Sequence, residues 1–420
     1  MDRKGINRAV PPLLRDVVFR RYWLGQSLSL TGGQISMLAF PLTAVLVLKT
    51  NAIGMALITA VGALPSLLFS IPIGAWVDRR EHRRQMMITA DLLRALFIAI
   101  IPAAFALNLL TLPLLIGLWF CVGVCSVFFR VASNTVFVAL VPRDKYAEAN
   151  GLFQQSQAAG FLIGPALGGW LIQVFSAPIA LLGDAVSFLV SGLSLSMIHP
   201  QEPIGVKDPG QNIWEGTRFI RTSPILLSTF ATQLTQSFFR AVFITVYILY
   251  ATRYLHVTPA QWGLILGPSS VFAIAGSTVA SRLFRRLGLG LTLIVSSALF
   301  TWPLLVIPLI AGPHIIIVTV LFLAEGISGA GAVIQAAASG TIRASAIPDS
   351  VRARVMAAFT LAGRGMTPLG AAGAAWLAWQ TGVHVTILIA SVGLSVSFFW
   401  LLTPSIVSLK HYGQIEPDAK

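Results

Sequence analysis

Apolar runs of membrane-crossing length recur twelve times along this chain, and no other feature of the sequence leaves so few folds open. They lie near residues 22–47, 53–77, 86–107, 110–130, 152–175 and 178–198, then near 225–250, 261–281, 289–311, 314–337, 355–379 and 383–402. At 1.5 Å per residue, about 20 helical residues cross the roughly 30 Å of hydrocarbon in a bilayer. Lipid offers a backbone no hydrogen bonds, and a helix satisfies its own within one segment. The expectation is an all-α integral membrane protein of twelve transmembrane helices. Of the 420 residues, 56% are hydrophobic and 10% charged, against roughly 25% charged in a soluble domain. No connection is long enough for a sizeable water-exposed domain.

The formal net charge of +14 invites a nucleic-acid reading, which the placement of the charges excludes. Basic residues gather as Arg3, Lys4, Arg8, Arg15, Arg20 and Arg21; as Arg79, Arg80, Arg83 and Arg84; as Arg143 and Lys145; and as Lys207, Arg218 and Arg221. Further clusters are Arg282, Arg285 and Arg286, then Arg343, Arg352 and Arg354, then Lys410 and Lys420. Every cluster falls in an alternate connection, and the intervening ones hold only Lys49 and Arg253. This is the positive-inside pattern, which puts both termini and the basic loops in the cytoplasm and the protein in the inner (plasma) membrane. A DNA binder would concentrate its charge on one exposed face. Cys121 and Cys125 share a helix face inside one apolar run and read as small core residues. The polar, basic N-terminus has no small-residue cleavage site, so the first run reads as a retained helix.

The one long polar stretch, 199–223, carries Pro200, Pro203, Lys207, Asp208, Pro209, Gly210 and Asn212. It divides the chain into an N-terminal six-helix bundle (1–198), a cytoplasmic linker (199–223) and a C-terminal six-helix bundle with a short tail (224–420). The end of the linker, from Ile213 to Ile225, mixes apolar and basic residues and suits a short helix on the cytoplasmic surface. The halves repeat. Gly74 precedes Arg83 and Arg84 at the intervals by which Gly276 precedes Arg285 and Arg286, and Pro142 precedes Phe153 as Pro348 precedes Phe359. Pro165-Ala-Leu-Gly168 has an echo in Pro368-Leu-Gly370. Six helices per half make the repeats parallel, giving two pseudo-symmetric bundles.

The connection after the second span reads Gly74-Ala-Trp-Val-Asp78-Arg79-Arg80-Glu81-His82-Arg83-Arg84. Gly74 is expected to let two helices approach closely. Asp78 would meet a helix N-terminus or an arginine, and Arg79, Arg83 and Arg84 would hold the cytoplasmic face. The fifth span contains Gly160-Phe-Leu-Ile-Gly164-Pro165-Ala-Leu-Gly168-Gly169, whose four-residue glycine repeat leaves a smooth packing face with a bend at Pro165. The first motif resembles the signature loop of the major facilitator superfamily, in the form carried by its macrolide-efflux and siderophore-exporter branch. Val141-Pro-Arg-Asp-Lys-Tyr-Ala-Glu148-Ala-Asn150, Ala90-Asp91-Leu-Leu-Arg94 and Asp184-Ala-Val-Ser-Phe-Leu resemble the same branch. The resemblance implies the major facilitator fold, and the fifth-span motif resembles one that marks drug/proton antiporters. Two departures leave the coupling machinery open. The arginine such antiporters carry in mid-span four is replaced by Arg130 near its cytoplasmic end, and Gly33 stands where some relatives have an acid.

Ionisable residues are costly inside a membrane and are functional candidates by default. Counted at about 1.5 Å per residue, Glu325 and Arg364 both sit near mid-depth, so they are expected to pair across the tenth and eleventh spans. Arg240 lies beyond the middle of the seventh span, and Asp91 and Arg94 are spaced to satisfy each other. Glu325 is the carboxylate expected to gain and lose a proton as a nearby arginine moves. Asp184, near the outer end of the sixth span, reads as interfacial. Gln26, Gln34, Gln233 and Gln236, with the aromatic residues Phe40, Trp119, Phe238 and Phe239, are candidates for the substrate cavity. No nucleophile with a nearby base, paired His/Glu metal motif or phosphate-binding glycine loop occurs, which leaves a membrane enzyme as a remote alternative and excludes an ATP-driven pump. The expectation is a monomeric, cofactor-free secondary exporter of small amphipathic molecules driven by protons. Importers and lipid-linked exporters of the same superfamily are the alternative.

Overall fold

The computed structural model describes residues 11–198 and 213–409, apart from the side chains of Asp78, Ile213, Trp214, Glu215 and Pro268. The linker prolines and glycine, Lys207, Asp208 and Asn212, the tail from Lys410, and Arg3, Lys4 and Arg8 lie outside that range. Among the described residues there is no strand. Ten helical runs among them are long and apolar enough to cross a membrane. Two of them are far too long for one crossing: 43 residues, Pro259–Thr301, and 48 residues, Asp349–Val396. At 1.5 Å per residue a straight helix of either length would reach about twice the hydrocarbon thickness. Each breaks at a glycine in the left-handed region, Gly288 (φ 78°) and Gly382 (φ 82°), where a side chain would be strained. Counted as two helices each, they make the runs among the described residues consistent with twelve spans.

The chain forms two compact units, Met1–Leu48 with Leu64–Asp208, and Lys49–Ala63 with Pro209–Lys420. The first holds α1 (Val17–Leu42, continued by a wider turn to Val47), the later part of α2 (Ala52–Asp78), α3 (Arg83–Ala106), α4 (Leu112–Leu140), α5 (Tyr146–Val174) and α6 (Ala177–Ser196). Here α1 packs on α5 and α6, and α3 on α4 and α6. The second holds the start of α2, then α7 (Ile213–Thr222), α8 (Pro224–Arg253), α9 (Pro259–Thr301), α10 (His314–Ala346) and α11 (Asp349–Val396). Its main pairings are α9 with α10 and α8 with α11. Side-chain caps start several spans: Asp16 accepts from Val18 N–H, Thr111 from Leu114 and Ser223 from Leu226. Thr258 and Gln261 form a reciprocal capping box. Prolines inside α2, α3, α5 and α11 are accommodated as they commonly are in membrane helices.

Ile71, Ile315 and Trp379 are each more than 70% exposed, a surface that only lipid solvates well. Several helices outrun their hydrophobic windows. α4 continues to Leu140 and α10 to Ala346, against the expected ends near 130 and 337, because helical hydrogen bonding does not stop where hydropathy falls. α7 does not lie free on a surface. Ile220 joins the core of Val355 and Phe359, and a Cβ on Gly216 would fall inside 3.0 Å of the Arg354 carbonyl on α11.

Candidate transport site and charge networks

In the first unit the glycine face of α5 closes on α1. A Cβ at Gly160 would stand 3.4 Å from Thr31 Oγ1, and one at Gly168 3.3 Å from Ile35 Cα. At Gly164 it would collide with Gln34. Pro165 and Gly169 are buried in the same helix. Gln34 therefore packs its Cβ and Cγ over Gly164 in the seam. The second unit repeats the seam between α11 and α8. A Cβ at Gly363 would lie 2.9 Å from Gln233 Nε2, and one at Gly370 2.5 Å from the Phe238 carbonyl oxygen. These pairs stand at the offset of the sequence repeats. Gly74 corrects an expectation: a Cβ there meets nothing within 4 Å. Close contact between α2 and α4 is made instead where Gly123 faces Pro65, 2.7 Å from a Cβ.

The basic loop after α2 works as a clamp. Arg83 is 1% exposed and its Nε donates to the Val77 carbonyl at 3.4 Å. Arg84 donates to the Ile198 carbonyl and Arg21 to that of Met197 at 3.2 Å, tying down the end of α6. Arg79 is exposed, as is Arg80, which lies 4.9 Å over Trp76. The Asp78 side chain is outside the described residues. Glu148, in the first turn of α5 and within the stretch that resembles the exporter branch, accepts from Leu13 N–H at 3.1 Å.

A buried ionic cluster occupies the middle of this unit. Asp91 and Arg94 form an ion pair along one face of α3. The guanidinium lies between Phe129 and Phe188, 4.2 Å from each ring. Asp184 is 1% exposed, so it is interior rather than interfacial. It accepts from Ser36 on α1 and from Ser187 on its own helix. Three helices thereby converge on two carboxylates and one guanidinium.

In the second unit Glu325 is buried on α10, and the charge acting on it is Arg240, with Tyr247 beside it. The expected partner, Arg364, is exposed on α11 and makes no ion pair among the described residues. Counting residues places both at the right height, but contact also requires that the helix faces point together. Towards the other end of α10 the polar column continues. Gln335 Nε2 donates to Gln236 Oε1 at 3.1 Å, and Gln236 Nε2 to Ser297 Oγ at 3.1 Å. Arg343 Nη1 donates to Gln233 Oε1 at 3.1 Å, while Gln233 Nε2 donates to the Phe359 carbonyl at 2.8 Å. Beside this column lies a cavity of about 280 Å³ lined by Gln233, Gln236, Gln335 and Arg343 among others. Arg343 was expected in a loop; α10 carries it into the cavity wall instead. The readable signal was the four-residue spacing Gln335, Ser339, Arg343, which sets three polar groups on one helical stripe.

Other expected lining residues serve packing. Phe239 lies on Gly393, inside 3.0 Å of where a Cβ would be, and edge-on to Phe238 at 5.2 Å. Phe40 is fully buried against Trp119 with centroids 4.0 Å apart. The Gln26 amide nitrogen is buried and has no hydrogen-bond partner among the described residues.

The sequence profile of the Major Facilitator Superfamily matches residues 22–371. The chain belongs to the major facilitator superfamily. This major facilitator protein is therefore a multi-pass membrane transporter and not an enzyme. It is 25% identical over 383 residues to the multidrug efflux pump Tap of Mycolicibacterium fortuitum, covering 86% of this chain and 89% of that one. It is 28% identical over 185 residues to macrolide efflux protein A of Streptococcus pyogenes, covering 43% and 44% of the two chains. Among solved structures it shares the fold of a bacterial homologue of the iron transporter ferroportin in an inward-facing state. That match has a TM-score of 0.70 at 17% identity, over 94% of this chain and all of the other. The nucleoside transporter NupG gives a TM-score of 0.72 at 12% identity, over 92% of this chain and all of the other.

Proposed function

We propose that this transporter exports small amphipathic molecules, such as drugs, macrolide-like antibiotics, siderophores or other metabolites, across the plasma membrane in exchange for protons. The observation that carries the reading is the α5 glycine face seated on α1, because the same residues make up the motif that resembles the antiporter signature. The efflux pumps among the similar proteins support the direction of transport. In this mechanism the bundles 1–198 and 224–420, joined by 199–223, alternate access to substrate as a monomer with both termini in the cytoplasm. Glu325 is the proton-carrying group, and Arg240 is the charge whose distance sets its protonation.

A deletion strain challenged with a panel of antibiotics and dyes tests the direction. An exporter leaves the mutant hypersensitive and accumulating one or more compounds, whereas an importer leaves it resistant or starved. Proteoliposomes with an internal pH indicator test the coupling: addition of a transported compound should move protons opposite to it. A compound flux with no proton movement would remove the antiport step.

A further inference from the structure

The cavity beside α8 and α10 holds a positive charge with no negative partner. Arg343 is half-buried, and among the described residues it forms no ion pair. Among the described residues Gln233 Oε1 alone takes one of its donors by hydrogen bond, and the buried Nε has no partner there. Phe359 lies 5.2 Å from its guanidinium carbon. Around the same 280 Å³ space stand Thr232, Gln335 and Ser339, with Phe300 as an apolar wall. A desolvated guanidinium with open donors is unfavourable unless an acceptor, preferably charged, completes it. Its planar fork suits a carboxylate or phosphate better than a neutral group.

The geometry points to a subsite for the acidic group of the transported molecule, seated on Arg343 and flanked by hydroxyl and amide side chains, with the apolar body of the molecule outside it. This assignment rests on the export reading and narrows it: the preferred cargo is an acidic or zwitterionic amphiphile, not a simple cation. A volume of 280 Å³ takes a headgroup and not a whole macrolide. Phosphate-bearing lipid shares the same chemistry, and the test separates the two sources.

Dansyl-phenylalanine and its carboxamide are close in size and differ in charge. Their binding to the full-length protein in phosphatidylcholine nanodiscs is read by dansyl fluorescence, with no ion gradient present. The acid should bind about tenfold more tightly than the amide, the scale of one charge-assisted hydrogen-bond pair. Arg343→Gln should bring the ratio close to one, and Arg343→Lys should keep most of it. Ser339→Leu, which fills the space and leaves the charge, should weaken the acid and so tests the site if Arg343→Gln does not fold. An unchanged ratio in Arg343→Gln, or equal binding of acid and amide by the native protein, overturns the proposal. So does phosphatidylglycerol displacing the probe with no difference between acid and amide, which assigns the cavity to lipid. Failed export in cells while the native protein keeps its acid preference sinks the export reading alone, and export by a native protein that shows no acid preference sinks the subsite alone.

Discussion

Two buried charge groups of different design carry the residue-scale predictions. Around Glu325 a single carboxylate faces Arg240 and Tyr247, so removing its charge without changing its shape separates coupling from folding. Glu325→Gln should insert and purify normally yet lose proton-driven efflux in inverted vesicles; transport at the native rate would take Glu325 out of the mechanism. Around Arg94 the carboxylate is structural. Asp91→Ala leaves a guanidinium enclosed by Phe129 and Phe188 with its ion-pair partner gone. A loss of about 3 kcal/mol of stability is expected, seen as a lower unfolding temperature in detergent. The Asp91–Arg94 pair was legible from a three-residue spacing on one helix. The partner of Glu325 was not, since depth follows from counting residues but azimuth depends on how α8, α10 and α11 rotate against one another. Arg343 escaped because a hydropathy window ends where charge begins, whereas the helix does not.

At the scale of the element, seams rather than spans decide what tolerates change. Gly164 has no room for a side chain above Gln34, while Gly160 leaves an ordinary gap to Thr31. Gly164→Val should cost about 1–3 kcal/mol through overpacking and Gly160→Ala close to nothing, compared by thermal unfolding. The α5 glycine repeat made this seam foreseeable from sequence. Gly74 shows the converse: a motif residue read as a packing site has open space beside it, and the tight approach falls to Gly123 and Pro65. Composition identifies a smooth helix face but does not name the helix that will use it.

For the whole molecule, the apolar runs foretold the spans, because lipid makes each backbone satisfy its own hydrogen bonds within a segment, and the alternating basic loops predict the sidedness. Single cysteines introduced at position 80 and at position 108, in a background lacking Cys121 and Cys125, test sidedness. Impermeant maleimide should label the first only in inverted vesicles and the second in intact cells; the reverse result would turn the topology over. The twin seams have a further use. Since α5 on α1 and α11 on α8 meet through counterpart residues, the protein contains its own control experiment. One alanine placed at Gly168 and one at Gly370 ask the same question in two settings, the new Cβ standing 3.3 Å from its nearest neighbour in the first and 2.5 Å in the second. The second should be the more damaging, and the gap between them measures how far two halves built to one plan have drifted in tolerance.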